Sequence, residues 1–98
     1  MMYYEVQAGE VGCDVRVSDI LWIHTRHSVY EFFVIDPVKA YGVVKGGVLG
    51  TAAKEGFLCL PLSLAIGSRA ELLIESSKGA ARYLTTSPIT SVRHFRDG

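Results

Sequence analysis

Two strand-like runs, Asp19 to Thr25 and Ser28 to Ile35, are separated only by Arg26-His27, and this pair constrains the fold most. A two-residue loop is the commonest hairpin connection. It sets Ile23 against Tyr30, Leu21 against Phe32 and Asp19 against Val34. That face is apolar apart from Asp19 and is expected to point into a core. The opposite face carries Ile20, Trp22 and His24 against Phe33, Glu31 and Val29. An antiparallel hairpin with one solvated face normally shows a plainly polar side. Here both faces call for cover.

The rest of the chain supports the same class. No stretch sustains a helical period. Short runs rich in aromatic and β-branched residues alternate with Gly, Pro, Ser and Asp clusters, the pattern of an all-β domain. A second hairpin is expected from Arg69 to Ser77 and Ala80 to Thr86, turning at Lys78-Gly79. Its register pairs Glu75 with Arg82, Leu73 with Leu84 and Ile74 with Tyr83, which matches opposite charges and apolar groups across the strands. Weaker strands are Tyr3 to Gln7, Asp14 to Val17, Ala40 to Lys45, Phe57 to Leu62 and Ile89 to Phe95. Asp36-Pro37, Gly46-Gly47 and Ser87-Pro88 read as breaks or bends. The expected fold is one β domain over residues 1–98 with little helix. It is a small closed or partly open antiparallel β-barrel, with a small β-sandwich as the alternative. Leu21, Ile23, Tyr30, Phe32, Leu72 and Ile74 are its expected core.

Thr25-Arg26-His27-Ser28-Val29-Tyr30, then Gly46-Gly47, then Thr86-Ser87-Pro88-Ile89 resembles a pattern in small uncharacterised bacterial proteins. In these a "TRNS-x-Y" hairpin leads to a Gly-Gly turn and the chain closes on "TSPV" or "TSPI". The likeness spans roughly residues 17 to 92 through short motifs. His27 stands where that pattern has Asn, and both residues tolerate a left-handed turn. The resemblance implies a compact β fold and brings neither an activity nor catalytic residues.

Bulk properties narrow the function classes. The 98 residues carry 10 Lys+Arg against 10 Asp+Glu, so the basic excess of a general nucleic-acid binder is missing. Hydrophobic residues make up 49% of the chain. A domain this small buries only about two thirds of its unfolded surface, so surplus apolar area points to self-association. Cys13 and Cys59 lie in apolar stretches and read as buried free thiols of a reducing compartment. Met1-Met2-Tyr3-Tyr4-Glu5 lacks the basic and apolar regions of a secretory signal, so the expected location is cytoplasmic.

Candidate chemistry is sparse. The stretch Gly42 to Thr51 does not match a phosphate loop, because Gly50 is followed by Thr51-Ala52-Ala53-Lys54, and it reads as a turn or bulge. His24, His27 and His94 lack metal-ligand spacing. Gly67-Ser68 lacks the second glycine of a nucleophile elbow. Glu71 and Glu75 share a strand face and read as solvated carboxylates. No cofactor, metal or catalytic residue is assigned. Arg93, His94 and Arg96 form a small basic cluster that reads first as a solvated tail; with Tyr3, Tyr4, Trp22 and Phe33 they also carry the runner-up reading, a single-stranded nucleic-acid module. A small-molecule binder or enzyme with a pocket between sheets is the third. The leading reading is a self-associating binding module. Its candidate surface is the mixed hairpin face of Trp22, His24, Glu31 and Phe33, since aromatic anchors dominate interface energetics. A competing expectation is that a second sheet, or the strand Phe57 to Leu62, covers that face.

Overall fold

The computed structural model describes residues 2–6, 15–58, 65–75 and 81–98. Its elements are β1 (Tyr3–Glu5), β2 (Ile20–Thr25), β3 (Val29–Asp36), β4 (Tyr41–Gly46), a short 3-10 turn (Gly47–Leu49), β5 (Lys54–Leu58), β6 (Arg69–Glu75) and β7 (Ala81–Asp97). Strands β2 to β7 run as an antiparallel meander. β7 pairs with both β6 and β2, which closes a six-stranded barrel, and β1 adds to the far part of β7. The fold is therefore the closed β-barrel of the sequence reading. Cys13, Cys59 and the Lys78-Gly79 turn lie outside the described residues.

The first hairpin has the expected register. Leu21 faces Phe32 and Ile23 faces Tyr30 on one side, while Ile20 faces Phe33, Trp22 faces Glu31 and His24 faces Val29 on the other. Thr25 closes the loop by accepting the Ser28 N–H on its hydroxyl at 3.1 Å. Leu21, Ile23, Tyr30, Phe32, Leu72 and Ile74 are all buried, joined by Val34, Val44, Leu58, Ala70 and Ile89. A closed barrel of six strands has a narrow interior. Gly42 makes room in it: a Cβ there would lie 2.1 Å from the Phe33 carbonyl oxygen and 2.9 Å from Phe32 Cζ.

The second hairpin differs from expectation by one residue. Glu75 pairs with Ala81, Ile74 with Arg82, Leu73 with Tyr83 and Leu72 with Leu84. Glu75 and Arg82 thus lie on opposite faces of the sheet. Alternation decides it, since a one-residue slip exchanges the two faces of a strand. Ala70, Leu72 and Ile74 point inward, and the observed register puts Leu84 and Thr86 on their side and Tyr83 outside. Burying a leucine is worth about 1.5 to 3 kcal/mol, whereas an exposed ion pair is worth at most about 1 kcal/mol.

Ser87-Pro88 does not break the chain into two strands. β7 runs through it and bends. Between Arg69–Pro88 and Glu71–Thr85 the strand carries an extra residue relative to β6, and between Thr25–Ile89 and His24–Ser91 it carries another relative to β2. Bulges of this kind bend and twist a strand, and they tolerate a proline that has no N–H to give a ladder. Side chains and free backbone groups repair the ladder. The Ala70 N–H donates to Thr86 Oγ1 at 3.0 Å, and the Thr86 hydroxyl donates to the Ser87 carbonyl at 2.8 Å. The Arg26 N–H reaches the Pro88 carbonyl at 2.9 Å, and the His27 N–H reaches Ser87 Oγ at 3.2 Å. The first hairpin turn and the Thr86-Ser87-Pro88-Ile89 segment therefore meet in space.

Smaller differences concern strand limits. Residues 15–17, the described part of a strand expected from Asp14 to Val17, form no strand and lead into a turn at Val17-Ser18, with Ser18 at φ 72°. β5 begins earlier than expected, at Lys54. The glycine-rich stretch supplies the turn that was expected of it. Gly46, Gly47 and Gly50 all have positive φ, and a Cβ on Gly47 would lie 2.2 Å from Tyr30 Cζ.

Two substitutions test this packing. Phe32→Ala should cost about 3 to 5 kcal/mol in urea melts, because the ring is wholly buried. Thr86→Val should cost about 1 to 3 kcal/mol by leaving the Ala70 N–H without its acceptor at the bulge. Wild-type stability of the valine variant would show that the hydroxyl does not hold the bend.

Candidate functional site

Outward residues of β2, β3, β4 and β7 form a row across the barrel wall. The register sets Arg93, Trp22, Glu31 and Lys45 side by side. Their side chains hold one another. Trp22 Nε1 donates to Glu31 Oε1 at 3.0 Å, and Lys45 Nζ lies 3.3 Å from Glu31 Oε2. The Phe95 ring lies 5.0 Å from the Trp22 ring, tilted by 55°. The Arg93 guanidinium sits 5.8 Å from the Trp22 centroid and 5.0 Å from that of Phe95, a cation–π arrangement. Arg93 also grips Glu5 with two hydrogen bonds of 3.0 Å, tying β1 to β7.

A groove of about 510 Å³ opens beside this row. It is lined by Trp22, His24, Val29, Glu31, Lys45, Gly46, Gly50 and Thr51, and its walls are mostly apolar. Three of the four residues singled out from sequence, Trp22, His24 and Glu31, line it. Phe33 lies on the same outer face but is not part of the lining. His24 Nε2 is buried and has no hydrogen-bond partner among the described residues. The other wall was not legible beforehand. Lys45, Gly46, Gly50 and Thr51 come from β4 and the glycine-rich turn, whose pairing with β3 the hairpin pattern does not reveal.

The C-terminal basic cluster is not a solvated patch. His94 faces inward from β7 beside Leu21, and Asp19 and His94 are almost wholly buried. The Asp19 carboxylate accepts from His94 Nε2 at 2.6 Å, from the Arg16 N–H at 2.9 Å, and from Arg96 Nε and a terminal guanidinium nitrogen at 3.1 and 3.0 Å. Burial pushes the Asp19 carboxyl up, but these donors and the Arg96 charge outweigh it and hold it below its ordinary value. Asp19 was visible as the polar member of an inward-facing alternation. Its partners were not, because they lie at the other end of the chain. Arg93, His94 and Arg96 each engage a carboxylate within the chain.

Among the described residues, no three His, Cys, Asp or Glu side chains come together as a metal site. No helix among them is long and apolar enough to cross a membrane. Set against protein-family models, curated proteins and solved structures, the chain matches none of them.

The buried Asp19 network carries a pH dependence. Its folded pKa lies below the ordinary 3.8, so its stabilisation is complete above that value and is lost as pH falls through the folded value. Asp19→Asn should cost about 3 to 5 kcal/mol near neutral pH by leaving the Arg96 and His94 side uncompensated. In thermal melts the gap between wild type and variant should narrow steadily below about pH 4. A gap unchanged at strongly acid pH would show that the charge is not what stabilises the network.

Proposed function

We propose that the protein is a non-catalytic binding module that holds a small, mostly apolar molecule in the groove over Trp22, His24, Val29, Glu31 and Lys45. The observation that carries this reading is the coincidence of the mixed hairpin face with a concave space of about 510 Å³. Small-molecule sites fall between roughly 300 and 1,000 Å³ and combine apolar walls with a few fixed polar groups. Glu31 is held between Trp22 and Lys45, and this supports a preformed wall rather than one assembled on binding. The same bonds use up the groove's charged groups in positioning one another, which favours binding over catalysis.

Self-association through the same face is the second reading. Its support is a convex neighbour. Val48, 71% exposed, protrudes from the turn whose Gly46 and Gly50 line the groove, and Val29 is 46% exposed on its wall. A two-fold contact needs such a knob and hollow side by side on one surface.

Trp22 is the chain's single tryptophan, so its fluorescence reports on the groove. A library of aromatic fragments screened by ligand-observed NMR should give binders that perturb this fluorescence. Val29→Arg should weaken them at least tenfold by filling the groove. Binders indifferent to Val29→Arg, or no binders, would overturn the small-molecule reading. A mass in light scattering that rises with concentration and returns to monomer in folded Trp22→Glu would establish the second reading instead.

A further inference from the structure

The opposite wall of the barrel carries a surface of different character. The register aligns Tyr41 with Phe57, Phe57 with Leu73 and Leu73 with Tyr83, so these four residues form a stripe across β4, β5, β6 and β7. All four occupy outward positions of their strands. Tyr41, Phe57 and Leu73 are half-buried and Tyr83 is 73% exposed. The Tyr41 and Phe57 rings lie 4.8 Å apart. With neighbouring strands about 4.8 Å apart, the stripe runs for roughly 15 Å, the reach of four or five residues of extended chain.

The remaining outward positions along β5 and β6 are Glu55, Glu71, Glu75 and Arg69. All three glutamates are exposed. Arg69 turns its guanidinium onto the Thr86 carbonyl at 3.2 Å. Glu55 accepts the Tyr41 hydroxyl at 2.7 Å. That bond, followed by burial and the charges of Glu55 and Glu75, pushes the Tyr41 hydroxyl up to about 12. The groove wall differs, because there Lys45 and Arg93 neutralise Glu31 and Glu5.

We propose that the β4–β7 wall docks a basic peptide segment of a partner protein, with apolar groups and Arg or Lys stems on Tyr41, Phe57, Leu73 and Tyr83 and the cationic heads on Glu55, Glu71 and Glu75. Charge complementarity selects this occupant. A two-fold contact between copies of this wall would set carboxylates against carboxylates, which is costly. Nucleic acid and anionic lipid are repelled by the same groups. Exposed aromatic faces add a cation–π attraction for guanidinium and ammonium heads. The contact is independent of the groove reading, since the two share no residue.

The test is fluorescence anisotropy with two labelled hexapeptides, one alternating Arg and Leu and one alternating Glu and Leu. The basic probe binds wild type, and its affinity falls as salt rises, while the acidic probe does not bind. Glu71→Lys combined with Glu75→Lys weakens the basic probe at least tenfold, and Tyr83→Ser weakens it severalfold. Asp97→Lys, a similar change at the far end of β7, leaves it within about twofold. All these positions are exposed, and circular dichroism checks that each variant is folded. Failure of the basic probe to bind wild type, equal binding of both probes, or equal loss in Asp97→Lys overturns the proposal. So does a wild-type dimer that Tyr83→Ser converts to monomer, which would make a second copy the occupant.

Discussion

The barrel depends on one strand serving two neighbours. β7 pairs with β6 through its first part and with β2 through its second, and the change of partner falls at Thr86-Ser87-Pro88-Ile89. A barrel has no free edge only if its last strand meets its first. Here the bend is made by two bulges flanking a residue that cannot donate to a ladder. The Thr86 hydroxyl replaces a ladder acceptor, and the Arg26 and His27 amides bind back from the first hairpin turn. The hairpin tip and the bend thus brace each other at one end of the barrel. At the other end, Asp19, His94 and Arg96 join the start of β2 to the end of β7 by charge and hydrogen bonds.

Closure at six strands also fixes where function can sit. The interior is filled by Leu21, Ile23, Phe32, Val34, Val44, Leu72 and their neighbours, and glycine is needed at position 42 to fit the Phe32 ring. The groove beside Trp22 lies on the outside of the wall. The apolar surplus of the composition appears there too, in two places. On the groove wall, charges are matched pair by pair around Trp22. On the β4–β7 wall, three exposed carboxylates surround an aromatic stripe, and Arg69 of the same face turns its guanidinium onto the Thr86 carbonyl. Similar apolar content therefore presents two different electrostatic surfaces to a partner.

The first hairpin was legible because its period, its short turn and its apolar pairs all agree, and the inward and outward sets emerged residue for residue. The second was not. Glu75 and Arg82 suggested a register by charge, but the inward requirement of Leu72, Leu84 and Thr86 outweighs an exposed pair. That requirement is set by closure, which local pairing cannot express. Ser87-Pro88 read as a break or a bend, and closure selects the bend: the ladder is interrupted at proline within one continuous strand. His94 and Arg96 looked like a solvated tail because Asp19, which binds them, is remote in sequence. The candidate surface was half visible, since Trp22, His24 and Glu31 share a strand pair, while Lys45 and the glycine turn reach the groove only through tertiary placement.

Amide hydrogen exchange followed by NMR tests the closed barrel most directly. The β2–β7 ladder, where Leu21 faces His94 and Ile23 faces Val92, is the seam that closes it. If β7 closes the barrel, the amides of that seam exchange by global opening, as slowly as those of the central β3–β4 ladder. Seam amides that exchange far faster than the β3–β4 amides, under conditions where the protein stays folded, would contradict closure and with it the placement of both outer walls.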